Sequence, residues 1–282
     1  MDNKQLNEVK IFACQIRIEI LKMLAEAGSG HVGGSLDLAE LMAVLYGGKM
    51  RVDAKNPTWP DRDYLIMSKG HAGPALYASL ALKGFFPMEK LATLNKLGTD
   101  LPSHCDRKKT PGVDMTAGSL GQGVGAATGI ALGNQMSGRS NYTYCILGDG
   151  EMDEGSVWES MLLAPQMKLD HYIVIADDNG MQIDGTTKDI VNLGNLTTKA
   201  AEFGWFAMDV DGHDPAAISD AIDVCKQAGR PAFINMHTIK AKGWPRYEGQ
   251  VGSHWVGGIR KEDVAEPVTQ LEAEIQRLRM SV

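Results

Sequence analysis

Two strand-like segments of this sequence each end in a short polar run whose residue types suit metal and phosphate binding. Residues 142–147 are mostly β-branched, aromatic or aliphatic and lead into Gly-Asp-Gly at 148–150. Residues 171–176 have a similar character and lead into Asp-Asp-Asn-Gly at 177–180. Segments of this composition are typical of strands, so both polar runs are predicted to begin where a strand ends.

The segment between the two strands determines how their ends are arranged. Residues 154–168 carry apolar side chains at helical spacing. A strand, a helix and a strand in this order form a right-handed crossover that leaves the two strands parallel. The carboxyl ends of parallel strands meet at one edge of the sheet, which is where such sheets bind ligands. We therefore expect Asp149 and Asn179 to lie close together.

One carboxylate and one amide oxygen suit a hard cation. Magnesium usually takes one or two ligands from protein carboxylates and the rest from water and phosphate oxygens. Gly148 and Gly150 would let a phosphate reach backbone N–H groups, because no side chain holds it away. The pattern thus predicts a diphosphate held by magnesium. The alternative is a pair of ordinary acidic loops, and two matched polar runs with one helix between them favour the metal site.

The remaining elements place further loops around this edge. An amphipathic helix is predicted from about Val9 and ends near Gly28. Further strands are predicted at residues 64–67, 207–210 and 232–236. The first of these leads into Ser-Lys-Gly-His at 68–71 and then into another helix. This alternation predicts a single three-layer α/β domain, with a mostly parallel sheet flanked by helices.

Composition excludes several functional classes. The chain has 44% hydrophobic and 22% charged residues, and no apolar segment approaches the length of a membrane-spanning helix. A net charge of −7 argues against a nucleic-acid-binding surface. The four cysteines lack Cys-x-x-Cys spacing, so buried, reduced thiols are expected. No basic and apolar leader begins the chain, so we expect a cytoplasmic protein.

One glycine-rich segment matches the residue spacing of a dinucleotide-binding fingerprint. Residues 121–126 fit the spacing Gly-x-Gly-x-x-Ala, but the preceding residues are loop-like and no acidic residue follows at the required distance. We expect these glycines to allow close packing of a helix instead.

The two polar runs, extended to residues 148–155 and 177–185, resemble the thiamine diphosphate signature of transketolases. Four further segments resemble transketolase segments in the same order along the chain. They are Ser-Gly-His-Val-Gly-Gly-Ser at 29–35, Ser-Lys-Gly-His-Ala at 68–72, His104 with Thr-Pro-Gly at 110–112, and Thr-Ala-Gly-Ser-Leu-Gly-Gln-Gly at 116–123. The resemblance implies the diphosphate-binding type of thiamine diphosphate fold.

The resemblance also implies catalytic roles. Two-carbon transfer needs neutral groups that donate, accept and move protons near pH 7, which histidine supplies. His31 and His104 would contact the hydroxyl and carbonyl oxygens of the substrate, while His71 and His254 would lie near the diphosphate and the reacting carbon. Glu154 would lie near the subunit junction, linked to the activating glutamate of a partner. On physical grounds it could equally be a helix N-terminal carboxylate stabilised by the helix dipole.

The implied cofactors are thiamine diphosphate and Mg²⁺, for which Ca²⁺ or Mn²⁺ could substitute. Asp149, Asn179 and the backbone oxygen of Met181 would hold the metal. The residues implied to border the cofactor are His71, Gly118, Leu120, Gly148, Asp149, Gly150, Glu151, Asn179 and His254.

A full transketolase chain also carries a pyrimidine-binding domain and a C-terminal domain. Residues 1–282 fit only the diphosphate-binding domain, so the chain resembles the N-terminal subunit of a split transketolase. The other domains, with the activating glutamate, are expected on a partner chain in an α2β2 assembly. The complex would transfer a two-carbon ketol unit between sugar phosphates, and this chain alone would bind its cofactors weakly and be inactive.

Two segments depart from the usual transketolase pattern. His104 lies in Ser-His-Cys-Asp and His254 in Gly-Ser-His-Trp, where relatives usually have Gly-His-Pro-Asp and Trp-His-Gly. The resemblance implies that both changes border the substrate channel, which leaves an atypical sugar open as the substrate. Two other hypotheses also stay open: the alpha component of a 2-oxo acid dehydrogenase, and a non-catalytic partner-binding paralogue.

Overall fold

A five-stranded parallel sheet forms the centre of the protein, in a computed structural model that describes residues 1–281. The strands of the described residues are β1 (Ser29–Gly30), β2 (Tyr64–Met67), β3 (Thr143–Gly148), β4 (Tyr172–Asp178), β5 (Phe206–Asp211), β6 (Ala232–His237) and β7 (Val256–Gly257). Five of them form the parallel sheet, in the order β2-β3-β4-β6-β5, and every neighbouring pair in it is parallel. The short strands β1 and β7 form a separate antiparallel pair.

Helices cover both faces of the sheet. The longer ones are α1 (Asn3–Ala27), α4 (Gly73–Leu82), α5 (Gln122–Met136), α6 (Gly155–Gln166), α9 (Pro215–Gln227) and α10 (Lys261–Met280). The shorter ones are α2 (Gly33–Leu36), α3 (Ala39–Val44), α7 (Thr187–Ile190) and α8 (Leu196–Glu202). A π-helical turn, Leu45–Lys49, extends α3, and 3₁₀ turns span Gly70–Ala72, Met88–Thr93, Gly150–Asp153 and Val251–Ser253.

Two cores lie on opposite faces of the sheet, because successive strand side chains point in opposite directions. Ile146 and Ile175 face one core, with residues of α1, α3, α4 and α9. Leu147 and Val174 face the other, with residues of α5, α6 and α8. Strands β2, β3, β4 and β6 are buried along most of their length, as expected within a parallel sheet, whereas the edge strand β5 is partly exposed. The predicted three-layer α/β fold is confirmed.

The central strand, helix and strand unit has the predicted arrangement. β3 and β4 are parallel neighbours, and Gly148 is paired with Asp177 in the register. Between them, a 3₁₀ turn at Gly150–Asp153 precedes α6, so the regular helix begins one residue after the predicted start. The two polar runs therefore leave the same edge of the sheet.

Helices at the two ends of the chain pack together. Asp2 caps α1 in a capping box, and Gly28 ends it in the left-handed region at φ 76°. Ile275 of α10 packs with Cys14 and Ile18 of α1, so the two helices share an apolar contact.

Two further expectations match the structure. The four cysteines are free and buried. A Cβ atom at Gly123 would lie 2.6 Å from Cα of Ser68, so this glycine lets α5 pack closely against the end of β2. Among residues 1–281, no helix combines the length and the hydropathy that crossing a bilayer requires.

Candidate active site

A cavity of about 410 Å³ lies at the carboxyl ends of β2, β3 and β4. Every predicted site residue except Glu154 contributes to its wall: His31, His71, His104, Gly118, Leu120, Gly148, Asp149, Gly150, Glu151, Asn179, Met181 and His254. The wall also contains residues for which the sequence predicted no role, namely Gly34, Lys69, Asp177, Gln182, Ile183, Asp184, Ile190 and Lys240.

Asp149 lies at the end of β3 and joins the two polar runs. One of its carboxylate oxygens accepts the N–H of Gly150 at 2.7 Å, and the other accepts the N–H of Gly180 at 2.7 Å. Burial and the nearby Asp177 carboxylate raise the pKa of Asp149 to about 7, against the lowering effect of these two hydrogen bonds. A cation beside Asp149 would remove this penalty, because it would compensate the buried negative charge.

Asn179 follows β4 on the same side of the cavity. Its side-chain Nδ2 donates to Oδ2 of Asp37 at 3.1 Å and to Oδ2 of Asp177 at 3.2 Å. Its Oδ1 accepts the N–H of Met181 at 3.1 Å. The amide oxygen thus faces the segment that contains Met181, a predicted metal ligand.

Beneath Asn179 lies a buried ionic cluster formed by Asp37, Lys69 and Asp177. The Lys69 ammonium bonds directly to Asp177, lies 3.6 Å from Oδ1 of Asp37, and donates to the carbonyl of Gly34 at 3.0 Å. All three charged side chains are almost completely buried. Burial and the Asp177 charge raise the pKa of Asp37 well above its usual range.

The four predicted catalytic histidines form one cluster in the cavity wall. The His31 ring centroid lies 5.2 Å from that of His71, 5.5 Å from that of His104 and 5.4 Å from that of His254. The centroids of His71 and His254 are 4.9 Å apart. The indole of Trp255 packs edge-on against His31 at 4.8 Å and is 48% exposed.

All four histidines are held in the neutral form. Burial, with the neighbouring His254 and His104, lowers the pKa of His31 to about 4. Burial, with Lys240 and Lys69, lowers the pKa of His254 to about 4 as well. Burial also lowers the pKa of His104, and burial together with Lys69 lowers that of His71 well below its usual value. At neutral pH each ring therefore has one N–H donor and one acceptor nitrogen.

Local backbone structure explains how the cluster assembles. Strand β1 ends just before His31, and strand β7 begins two residues after His254. The pairing of Gly30 with Val256 in this antiparallel ladder therefore brings the two rings together. His71 lies in the 3₁₀ turn after β2. A Cβ atom at Gly70 would collide with the Ala117 carbonyl, so glycine there lets the loop that contains Gly118 approach the histidines.

Glu151 contributes to the cavity wall, but its carboxylate points into the protein. The carboxylate accepts Ser68 Oγ at 2.5 Å, the N–H of Gly121 at 2.9 Å and the N–H of Gly148 at 3.2 Å. Glu151 thus ties the end of β2, the start of α5 and the end of β3 together.

Lys240 supplies a buried positive charge to the cavity wall. Its Nζ lies 3.4 Å from the carbonyl oxygens of Met181 and Gln182, and within residues 1–281 no carboxylate oxygen is within 4.0 Å of it. Burial lowers its pKa. A buried ammonium with two long contacts to carbonyls is suited to binding an anion.

Glu154 is exposed and lies outside the cavity wall. It is the N-cap residue of α6, but its side chain makes no capping hydrogen bond within the described part of the chain. Its carboxylate is therefore available to contact a group outside this chain.

Five charged residues of the site were given no role by the sequence analysis: Asp37, Lys69, Asp177, Asp184 and Lys240. Lys69, Asp177 and Lys240 were accessible to prediction, because each lies at or just beyond the end of a predicted strand. Asp37 follows the short helix α2, far from both polar runs, and nothing in its spacing predicts its position.

Comparison with known proteins gives the family. The sequence matches the family described as "Transketolase, thiamine diphosphate binding domain" over residues 9–276. It is 51% identical over 240 residues to the 6-deoxy-6-sulfo-D-fructose transketolase subunit of Clostridium sp. (strain MSTE9), covering 85% of this chain and 87% of that protein. It is 36% identical over 259 residues to an apulose-4-phosphate transketolase subunit of Actinobacillus succinogenes, covering 92% and 93%.

Longer relatives match over only part of their length. Transketolase of Homo sapiens is 36% identical over 270 residues, which is 95% of this chain and 42% of that protein. The crystal structure of transketolase from Campylobacter jejuni superposes with a TM-score of 0.89 at 30% identity, covering 99% of this chain and 46% of that one. This chain therefore belongs to the transketolase family of enzymes, in which it corresponds to the N-terminal, thiamine diphosphate-binding domain.

Proposed function

We propose that this chain is the N-terminal subunit of a thiamine diphosphate- and Mg²⁺-dependent transketolase, which transfers a two-carbon ketol unit from a ketose to an aldose. The observation that carries the proposal is the meeting of Asp149 and Asn179 with four neutral histidines at one cavity. Residues 1–282 would form the diphosphate-binding domain, and a partner chain would supply the pyrimidine-binding and C-terminal domains.

The donor set fits magnesium. Asp149 offers a carboxylate, Asn179 an amide oxygen and Met181 a backbone carbonyl, which are the oxygen ligands that this ion prefers. No set of three or more His, Cys, Asp or Glu side chains in residues 1–281 is arranged to hold a metal ion. With a single carboxylate among the three donors, diphosphate and water oxygens would complete the shell. Ca²⁺ or Mn²⁺, which also bind oxygen ligands, could substitute.

The wall of the cavity also fits a diphosphate. The ammonium group of Lys240 would face its negative charge, and Gly148 and Gly150 leave the backbone open to it. The N–H of Gly150 donates to Asp149, so this N–H would have to be shared or redirected when a phosphate binds. Gly118 has open space beside its Cα, and with Leu120 it would border the rings of the cofactor.

Bound thiamine diphosphate would supply the carbon centre that cleaves the ketose and carries the two-carbon unit. The chain's own residues would orient the sugar and move protons. As neutral rings, His31 and His104 can donate to or accept from substrate hydroxyl and carbonyl oxygens, and His71 and His254 can do so closer to the cofactor. Nδ1 of His31 is buried without a hydrogen-bond partner in residues 1–281. A ring in this state is suited to gaining a partner when the site is occupied.

A partner chain is supported by the names and lengths of the relatives. Two of them are named as subunits and match this chain over most of their length, whereas full transketolases match over less than half of theirs. Exposed Glu154 would lie at the junction with the partner. We propose a hetero-oligomer with two copies of each chain, in the cytoplasm, where the four buried thiols stay reduced.

The identity of the donor sugar is the finer part of the proposal. The 51% identical relative is named for 6-deoxy-6-sulfo-D-fructose, and another relative is named for apulose 4-phosphate. Trp255 packs edge-on against His31, in one of the two segments that depart from the usual pattern, where it would contact the substrate. We therefore propose a six-carbon sulfonated ketose as the donor, with a phosphorylated aldose as the acceptor.

The test is ketol transfer by this chain alone, by the product of the adjacent reading frame alone, and by their mixture, with thiamine diphosphate and Mg²⁺. Donors are 6-deoxy-6-sulfofructose, fructose 6-phosphate and xylulose 5-phosphate. We expect turnover only in the mixture and fastest with the sulfonated donor. A preference for the phosphorylated donors would support the proposed transketolase activity but would contradict the proposed sulfonated donor.

The same samples separate the remaining alternatives. Decarboxylation of pyruvate without ketol transfer would indicate a 2-oxo acid dehydrogenase component. Binding of the partner without any turnover would indicate a non-catalytic paralogue. Turnover by this chain alone would contradict the proposed division of domains between two chains.

A further inference from the structure

The carboxamide of Asn179 can adopt two orientations that differ by exchange of oxygen and nitrogen. Only one of them presents an oxygen to a cation, because the NH₂ group is a donor and cannot coordinate a metal. Residues that fix the orientation of this carboxamide would therefore matter for metal binding at the proposed site.

Two carboxyl groups are placed to fix this orientation. Asn179 Nδ2 lies 3.1 Å from Oδ2 of Asp37 and 3.2 Å from Oδ2 of Asp177. Both of these oxygens accept hydrogen bonds, so they stabilise the orientation with NH₂ toward them and oppose the exchanged one. The amide oxygen is then left on the opposite side, where it accepts the N–H of Met181.

The buried carboxylate of Asp177 has strong partners other than Asn179. Its carboxylate bonds to the ammonium of Lys69 and accepts the hydroxyl of Thr238 at 2.5 Å. Buried carboxylates with several such partners are common in stable folds.

Asp37 has far fewer partners. It is completely buried, its Oδ1 makes no hydrogen bond with any of residues 1–281, and the Lys69 ammonium is 3.6 Å away, too far for a hydrogen bond. Within that same part of the chain, its one side-chain hydrogen bond is the one from Asn179. Burying a carboxyl group with so few partners costs free energy of folding, so stability does not explain this residue.

We infer that Asp37 is a positioning residue, which together with Asp177 and Lys69 fixes the Asn179 carboxamide with its oxygen directed to the metal. Lys69 contributes by holding both carboxylates at the distance at which they can share the NH₂ group. The inference rests on the proposed function, because that proposal makes Asn179 a ligand. It adds a residue at the C-terminal end of α2, an element that contains none of the proposed ligands.

The test compares Asp37→Ala with the wild-type chain in two measurements. The first is Mn²⁺ binding to the full chain at saturating thiamine diphosphate, with and without the partner chain, followed by the electron paramagnetic resonance signal of free Mn²⁺. We expect Asp37→Ala to weaken Mn²⁺ binding by about ten- to a hundredfold, as is typical when a group that orients a metal ligand is removed.

The second measurement is urea unfolding in the presence of a chelator. Here Asp37→Ala should be at least as stable as the wild type, because Asn179 and Lys69 both keep Asp177 as a partner. A merely structural residue would show the opposite result, a loss of stability with unchanged metal affinity.

A matched control is Asp209→Ala. Asp209 also accepts a hydrogen bond from an asparagine side chain, that of Asn235 in β6, at 3.1 Å, but neither residue contributes to the wall of the cavity. We expect no change in Mn²⁺ affinity for this variant. If Asp37→Ala fails to fold, Asp37→Asn is tested in its place, with a smaller loss expected because its amide oxygen can still accept from Asn179.

The possible failures are distinguishable. Absence of Mn²⁺ binding by the wild-type chain, alone and with its partner, would overturn the proposed function and with it this inference. Wild-type binding together with equal binding by Asp37→Ala would overturn the inference and leave the proposed function intact.

Discussion

Burial sets the protonation state of each histidine in the cavity. The rings of His31 and His254 pack against each other, and His254 also lies near the ammonium groups of Lys240 and Lys69. A proton on either ring would therefore be poorly solvated, and it would be repelled by the neighbouring histidines at His31 and by the two lysines at His254. A neutral imidazole can donate with one nitrogen and accept with the other. The cluster can thus bind sugar hydroxyl groups without changing charge near neutral pH.

This arrangement predicts the pH dependence of the rings. In spectra of the chain labelled at histidine Cε1, the signals of His31 and His254 should titrate with midpoints at about 4. Assignment uses His31→Gln and His254→Gln. Because the folded pKa lies below the unfolded value of 6.5, the unfolded chain binds more protons, and the free energy of unfolding should fall as the pH drops from 6.5 toward 4. Midpoints near 6.5 would show that the rings are solvated.

Individual residues differ in how far the sequence predicted them. Asp149 and Asn179 could be placed together because each follows a strand and the crossover rule brings strand ends to one edge. Asp37 could not, because its contact with Asn179 joins positions 142 residues apart through packing of α2 on the sheet edge. The sequence can place a polar residue at the site when that residue adjoins a predicted strand or helix. It cannot place a residue that only tertiary packing brings to the site.

At the scale of elements, a single carboxylate connects three loops. Glu151 accepts hydrogen bonds from the ends of β2 and β3 and from the N-terminal turn that precedes α5. These are the loops that contain Lys69, Asp149 and Gly118. The geometry of the cavity wall therefore depends on a residue whose charged group faces away from the cavity.

Glu151→Ala should loosen these loops together. We expect it to lower the free energy of unfolding by about 3 kcal/mol, because the Ser68 hydroxyl and the N–H groups of Gly121 and Gly148 would lose their acceptor. Urea unfolding measures the loss, and amide hydrogen exchange at Gly121 and Gly148 should accelerate. Glu159→Ala, which removes an exposed carboxylate of α6, is the control and should change little. Unchanged exchange at both glycines would show that the backbone alone holds the loops.

The elements themselves were largely predictable, but their order was not. β2 has the predicted bounds, and β3 and β4 are parallel neighbours as expected. The position of β6 between β4 and β5 has no signature in hydrophobic periodicity, because every buried strand of a parallel sheet has the same apolar character.

At the scale of the whole molecule, an ionic network connects early and late parts of the chain. Arg17 of α1 pairs with Glu40 of α3 through two bonds of 2.5 and 2.6 Å, and donates to the carbonyl of Lys242 at 3.0 Å. His213, after β5, lies 3.3 Å from Glu40. Although burial opposes ionisation, the Arg17 charge and the hydrogen bonds outweigh it and lower the pKa of Glu40 to about 2.

This network predicts an acid-sensitive part of the stability. At neutral pH, Glu40→Gln should lower the free energy of unfolding by about 3 kcal/mol, since it leaves Arg17 buried without its charge partner. The folded pKa lies below the unfolded value of 4.5, so the wild-type advantage should be complete above pH 4.5 and vanish as the pH falls toward 2. Urea unfolding over a pH series tests this. Asp223→Asn, at a half-exposed ion pair with Lys49, is the control. A difference that did not change with pH would show that the Glu40 charge is not its source.

The strand order also has a consequence for how the chain folds during synthesis. β5 is made before β6 but, among the strands described above, pairs only with β6, so an emerging chain cannot add β5 to the sheet until residue 237 has left the ribosome. The first helix likewise waits for the last, because α1 covers part of its apolar surface with α10. A nascent chain thus exposes strand edges and apolar helix surface until β6 and α10 have emerged.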